Sequence, residues 1–356
     1  MVKILCIGEE WKGSNASGLF YALSRAGCVT SIVNEQRYIS LAAGAFHVRA
    51  IHRAIRHFQV ADFNTRLRQI TNSFLPDLVL VYKGAFLKKE TVLFWREQRI
   101  PVVNFFPDVS FMAHGSLIPE VIRFYDHIFT TKTFGAADLQ RNFGIDSDKV
   151  TFIPHGFDPQ VHRKIPVIDD GHKFLCDASF IGGYTPNKYT FLKSLSERIP
   201  ALNLKIWGNG WGGVQQEFPR AVQGIPITGD LYVYGINAST INIALLSEQV
   251  AGASSGDRIT SRTFHIPGSG GFMLHERTDE VLQYFDEGRD MACFSSPEEL
   301  ADKTQYYLNH EQEREVIRQN GYERALRDYS LDHTATRFLK TLKERGVIRQ
   351  VQRKYS

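Results

Sequence analysis

Ser254-Ser-Gly-Asp257-Arg258-Ile-Thr-Ser-Arg262-Thr-Phe-His265-Ile-Pro267-Gly268-Ser269-Gly270-Gly271-Phe-Met-Leu-His-Glu276 is the stretch on which the reading of this chain turns. An acid, two arginines, a histidine and a Gly-Ser-Gly-Gly turn fall within a span too short to fold alone, and an apolar, strand-like Phe-Met-Leu comes next. Arg262 to Ile266 is expected to run as a helical turn ended by Pro267. Gly268, Gly270 and Gly271 then free backbone amides to approach an anion closely. Arginine adds a permanently charged planar fork that matches phosphate oxygens. The combination reads as a site for a diphosphate.

The run R-T-F-x-I-P-x-x-G-G-F-x-L-x-E resembles the C-terminal signature of the spore-maturation-type (CgeB-like) branch of the group 1 glycosyltransferases, enzymes of the GT-B fold. Phe180-Ile-Gly-Gly-Tyr184, Leu204-Lys-Ile-Trp-Gly-Asn-Gly210 and the segments from Glu298-Glu-Leu300 to Gly321-Tyr-Glu-Arg324 are similar to that branch in the same order. The resemblance implies an α/β architecture of two facing Rossmann-like domains with a central cleft. It also implies a nucleotide-diphosphate sugar as co-substrate, with UDP favoured. In the wider family a glutamate, seven residues and a second glutamate precede a small-residue turn. Laying that turn on Gly268-Ser-Gly270 puts Asp257 at the first position and His265 at the second, a departure from the pattern. The implied role of His265 is a hydrogen bond to the ribose hydroxyls. Asp257 and Glu276 are the candidates for sugar or ribose hydroxyls. Arg258 and Ser269 join Arg262, Gly270 and Gly271 at the diphosphate.

Length and composition agree with this frame. At 356 residues the chain suits two domains of roughly 150 to 180 residues each. With 43% hydrophobic and 22% charged residues it has the composition of an ordinary globular protein. No apolar run reaches the roughly 20 residues that span a bilayer. The residues after Met1 run straight into a strand pattern without signal-peptide architecture, so a cytoplasmic location is expected. Cys6, Cys28, Cys176 and Cys293 lie far apart, which suggests neither a zinc site nor a disulfide framework. Charge is uneven: residues 1–165 carry 20 Lys+Arg against 14 Asp+Glu, and the remainder 22 against 24. A basic face on the first half could meet an acidic acceptor or the inner face of an anionic membrane. No aromatic-basic module points to nucleic acid.

Along the chain, Val2–Ile7 reads as a strand, followed by a polar loop and a helix over Leu19–Gly27, the opening unit of a doubly wound sheet. The glycine spacing there is not G-x-G-x-x-G, so no dinucleotide fingerprint is present. Further strands are expected at Val29–Val33, Leu78–Tyr82, Val102–Phe106, His127–Thr131 and Val150–Ile153, with helical patterns between them. His47–Phe58 has the spacing of an amphipathic helix. Asn104 to Gly115 begins at the carboxyl end of a strand, where open α/β sheets place ligands, making Asp108 and His114 candidates for the acceptor and for a general base. Asp146-Ser-Asp148 spells D-x-D, but in a helix-to-strand turn where aspartates cap the backbone. A metal reading is rejected there, and no metal is expected to be required.

Ile153-Pro-His155-Gly156 resembles the loop where group 1 enzymes cross between domains, which makes His155 a sugar or acceptor contact. The domains are set at 1–160 for the acceptor, 161–173 as linker, 174–330 for the donor, and 331–356 as a helix and basic tail returning to the first domain. The second half restarts the pattern with strand Leu175–Ile181, the loop Gly182-Gly183 to Lys188, helix Tyr189–Arg198, and strands Leu204–Trp207 and Thr240–Leu246. By resemblance Gly182, Gly183 and Lys188 lie under the diphosphate, while Trp207, Asn209 and Trp211 are read as walling the nucleotide base, with burial in the core an equal reading for Trp207. The reading is a metal-independent, retaining hexosyltransferase acting in glycoconjugate or cell-envelope synthesis on a glycan, lipid-linked or protein acceptor. Asp108, His155 and Arg262 are its catalytic candidates. A sugar-nucleotide epimerase on the same scaffold, and a non-catalytic nucleotide-sugar or glycan binder, are the alternatives.

Overall fold

The computed structural model describes residues 1–40, 46–168 and 173–348, with side chains described outside 46–54. The basic tail of Arg349, Arg353 and Lys354 and part of the expected linker, residues 169–172, lie outside the described residues. The chain divides into two compact units. Unit 1 is Met1–Pro154, Val250–Ser255 and Asp332–Ser356, and unit 2 is His155–Gln249 and Gly256–Leu331.

Unit 1 is built on β1 (Lys3–Gly8), β2 (Val29–Asn34), β3 (Leu78–Tyr82), β4 (Val102–Phe106), β5 (His127–Thr130) and β6 (Val150–Phe152), alternating with α1 (Asn15–Arg25), α2 (Phe46–Phe74), α3 (Lys89–Glu97), α4 (Leu117–Val121) and α5 (Gly135–Phe143). The strands form one six-stranded sheet in the order β2-β1-β3-β4-β5-β6. Every pairing is parallel. Such a sheet is covered on both faces, so its strands are continuous apolar runs. Leu78-Val-Leu-Val-Tyr82 is buried along its whole length. Helix α2 runs well past the expected Phe58.

Unit 2 repeats the plan with β7 (Cys176–Ile181), α6 (Pro186–Arg198), β8 (Leu204–Trp207), α7 (Gly229–Asn237), β9 (Ser239–Ala244), α8 (Ser261–Gly268), β10 (Met273–Glu276), β11 (Ala292–Phe294), α9 (Pro297–Asn309) and α10 (Glu311–Asp328). Its five strands run β11-β10-β9-β7-β8, again with only parallel pairs. The last helix, α11 (Leu331–Glu344), joins unit 1, where the Phe338 ring lies 4.6 Å from Phe129 on β5. The expected boundary at residue 160 is corrected. The chain enters unit 2 at His155, because Phe157 bridges Ser330 and His162 stacks on His265 within that unit.

Trp207 belongs to the interior, stacked 5.6 Å from Phe174. Asp146 caps a turn, its Oδ1 accepting from the Asp148 amide at 3.2 Å. The four cysteines are free thiols, three of them buried. No helix among the described residues is long and apolar enough to cross a membrane.

Candidate functional site

Strands β7, β9 and β10 are neighbours in unit 2, so the loops leaving their C-terminal ends meet along one sheet edge, the edge where parallel α/β sheets bind ligands. Helices α6 and α8 start from that same edge, each carrying a cation in its first turn. Lys188 Nζ donates to Ser247 Oγ at 2.9 Å and to the Gly183 carbonyl at 3.5 Å. Arg262 Nη2 donates to the Leu245 carbonyl at 2.6 Å, and its guanidinium lies 5.2 Å from the centre of the Phe180 ring. Glu276 Oε2 accepts from the Leu246 amide at 2.8 Å, and Glu248 Oε1 from the Asn187 amide at 2.5 Å.

Local sequence explains how Arg262 is held. Thr263 Oγ1 accepts from the Thr260 amide at 3.0 Å, starting α8, and reaches His275 Nε2 on β10 at 2.8 Å. Gly182 leaves the room: a Cβ there would sit 2.7 Å from Arg262 Nη1 and 2.8 Å from Phe180 Cζ. Gly208, at φ +148°, lets a second backbone press on the Gly182 carbonyl.

The electrostatics are those of two cations drawn out of water, with the carboxylates of Asp257, Glu248 and Glu276 around them. Burial, then the nearby Arg262, depresses Lys188 to about 8, against the pull of Asp257, Glu248 and Glu276. Burial also holds Arg262 below its ordinary value, and it raises Glu276. Arg262 Nε is buried with no hydrogen-bond partner in the protein. A buried, unsatisfied cationic donor beside a second depressed cation is a preformed place for an anion. Among the described residues, no group of three or more His, Cys, Asp or Glu is placed to hold a metal ion.

Several expected positions are corrected. The amides of Ser269, Gly270 and Gly271 donate to the carbonyls of His265, Pro267 and Ile266 at 2.9, 2.8 and 2.9 Å, closing the C-terminus of α8. The turn therefore feeds the N-terminal end of β10, at the other end of α8 from Arg262, and its amides are spent. Ser269 is fully buried. Trp211 is core rather than base wall: it is 1% exposed, donates Nε1 to the Gly182 carbonyl at 2.9 Å and meets Tyr184 edge-on. It braces the Gly182 turn from below. Asn209 is exposed, and its carbonyl accepts from the Tyr184 amide at 2.9 Å. Arg258 is exposed, its carbonyl accepting from Thr278 Oγ1 at 2.7 Å. Asp257 donates its amide to the Ser247 carbonyl at 2.8 Å, and its charge reaches both Lys188 and Arg262.

His265 lies one helical turn beyond Arg262, stacked 4.0 Å from His162 with Tyr232 edge-on at 5.8 Å. Burial, followed by the neighbouring His162 and His155, keeps His265 well below the usual histidine range, and burial brings His162 to about 4. His155, also buried, sits within reach of this pair. The stacked rings are uncharged at neutral pH and offer hydrogen bonds only. His162, Tyr232, Ser247 and Glu248 were not legible as site neighbours, since long-range packing and not local spacing brings them in.

Unit 1 gathers its own polar residues at the equivalent edge. Glu9 follows β1, Glu35 follows β2, Lys83 follows β3 and Asp108 follows β4. Lys83 Nζ and His114 Nε2 each lie 2.8 Å from Asp108 Oδ2. Burial alone would raise Asp108, but the hydrogen bond from His114 and the charge of Lys83 outweigh it and hold the carboxyl well below its usual range. Lys83 has φ +65°, and the Gly84 amide donates to the Tyr82 carbonyl at 2.8 Å, a strained γ-turn that aims the lysine at Asp108. Burial and then the charge of Glu9 lift Glu35 to about 7. A cavity of about 700 Å³ opens here, with Glu9, Glu35, Lys83 and His114 among its lining residues.

Residues 188–340 match the glycosyl transferase-like family. No curated protein matches the sequence. Sucrose-phosphate synthase from Thermosynechococcus elongatus superposes with a TM-score of 0.66 at 11% identity, covering 98% of this chain and 100% of its own. HepE from Anabaena in complex with UDP-glucose gives 0.64 at 11% identity, over 97% and 100%. The UDP-GlcNAc 2-epimerase of Neisseria meningitidis bound to UDP-GlcNAc gives 0.53 at 13% identity, over 96% and 100%. These likenesses fix the fold as GT-B, with two Rossmann-like units each built on a parallel sheet.

Proposed function

We propose that this chain, a glycosyltransferase of the GT-B fold, moves a sugar from a nucleoside diphosphate, with UDP favoured, to an acceptor hydroxyl. Unit 2 holds the donor and unit 1 the acceptor. The observation that carries the reading is the convergence of Lys188 and Arg262 at the C-terminal edge of the unit 2 sheet, with Arg262 Nε buried and unpartnered. As the bond from the anomeric carbon to the diphosphate oxygen breaks, its electron pair stays on the phosphate. Arg262 and Lys188 stabilise that charge as fixed donors, without a resident metal. The acceptor oxygen forms the new bond to the anomeric carbon, and its proton passes to a base, for which His114 is the candidate. Glu276 and Asp257 face the donor's hydroxyls. UDP is favoured because the HepE and epimerase structures that share the fold carry UDP-sugars. The order of motifs supports the spore-maturation-type branch, and a retaining outcome is what the resemblance to group 1 enzymes implies.

A thermal-shift panel of UDP, GDP and dTDP tests the donor assignment, since a ligand that binds only the native state raises its melting temperature. Failure of all three to bind would remove the donor site. An epimerase would instead convert a UDP-sugar to a new sugar nucleotide with no acceptor present.

The lysine gives this donor site a pH signature. A pKa of about 8 means that Lys188 loses its charge as pH rises through that value, so UDP affinity should fall several-fold between about pH 7 and 9. Binding restores the proton, so calorimetry in buffers of different ionisation heat should show proton uptake that sets in as pH approaches about 8 and is largest above it. Lys188→Met should flatten both; a pH-independent wild type would contradict the role.

Gly182→Ala should displace Arg262 and Phe180, because its Cβ would meet both inside 3 Å. Calorimetry should record UDP affinity at least about tenfold weaker, a loss of one charge-assisted bond. Unchanged affinity would mean that the guanidinium does not touch the ligand.

A further inference from the structure

We propose that the unit 1 cavity binds an amphipathic acceptor, with a hydroxyl-bearing head on the strand-end polar cluster and an apolar body along the cavity wall. This rests on assigning the acceptor to unit 1 and names its chemical class. The cavity's two halves come from different parts of the fold. Its polar floor is Glu9, Glu35 and Lys83, residues that directly follow strands β1, β2 and β3, together with His114. Its wall comes from helices and loops farther along the chain: Ile39, Val60 on α2, Phe86 beyond β3, and Leu117 at the start of α4.

The exposed lining is mostly apolar, although Ile39, Val60 and Phe86 each keep less than a tenth of their surface open and the Arg56 guanidinium lies 5.1 Å from the centre of the Phe86 ring. A cavity of about 700 Å³ holds more than a single sugar ring. A free sugar would satisfy the floor and leave the exposed apolar lining, Leu117 included, facing water, whereas an alkyl or aryl substituent would cover it. Lys83 Nζ and His114 Nε2 each lie 2.8 Å from Asp108 Oδ2, so one carboxylate gathers both groups at the head-group end of the cavity. Glu35, lifted to about 7 by burial and by Glu9, is in part protonated at neutral pH and can donate to an acceptor oxygen as well as accept from one.

The test compares octyl β-glucoside, below its micelle concentration, with methyl β-glucoside by calorimetry on the full chain, with UDP titrated in parallel. The octyl compound should bind at least about tenfold more tightly. That advantage should vanish in Phe86→Ala and in Leu117→Gln. Leu117 is half-buried, so the second variant guards against misfolding in the first. Equal affinities, no binding of the octyl compound, or an advantage that survives both substitutions would overturn the proposal. The UDP titration separates the two readings: loss of UDP binding alone refutes the donor site, and the glycoside comparison alone decides the acceptor class.

Discussion

Arg262→Ala is expected to abolish donor-dependent stabilisation and leave the fold in place. The guanidinium makes one charge-assisted bond to the Leu245 carbonyl and lies over Phe180, while its Nε has no protein partner. A charge-assisted bond to an anion contributes roughly 1.5–3 kcal/mol and a bidentate one more, so UDP affinity should fall about tenfold to a few hundredfold. Stability of the unliganded protein should move by only about 1 kcal/mol, because burying the cation already costs what its bond and packing supply. The substitution also removes the positive neighbour that helps depress Lys188. Residual binding should therefore weaken at a higher pH than in the wild type, which a simple loss of packing would not produce. Arg262→Lys should fall between the two, keeping the charge and losing the planar fork. A variant with full UDP affinity would refute the role.

The sheets were legible in the sequence because parallel strands covered on both faces leave uninterrupted apolar runs. Leu78–Tyr82, Val102–Phe106 and Leu204–Trp207 fall where those runs predict. β11, Ala292–Phe294, was too short to stand out. Cations at the edge were legible as charge beside glycine, but the Gly268–Gly271 turn was misread. Glycine-rich composition is the same for an anion nest and for a helix C-cap, and only topology separates them. After β9 the chain leaves the C-terminal edge, descends α8 and must turn at the opposite edge to begin β10. That turn could not face the ligand edge whatever its residues. Pro267 did not end α8 where expected, since the helix continues through it to Gly268. The His162–His265 stack was beyond reach because His162 comes from the segment preceding β7, joined to α8 only by the folded packing.

His114→Ala should lower kcat by about 10²- to 10⁴-fold, the range for a positioned general base, with UDP affinity unchanged. Asp108 is the weaker candidate for that base. Its carboxylate is already engaged by Lys83 and His114 and is held well below the usual carboxylate range, so it has little affinity for a further proton. Its geometry suits orientation instead. With His114 Nε2 held 2.8 Å from Asp108 Oδ2, the ring's other nitrogen, Nδ1, is the one left to take the acceptor's proton. Asp108→Asn removes the charge that fixes both Lys83 and the ring, so kcat should drop by a smaller factor while the pH profile of kcat shifts. Rates of UDP release under saturating donor and acceptor measure both. Imidazole should restore part of the rate to His114→Ala and none to Asp108→Asn, because only the first variant lacks the proton acceptor itself. A His114→Ala enzyme with wild-type kcat would leave deprotonation to another group, and rescue of Asp108→Asn by imidazole would reverse the two roles.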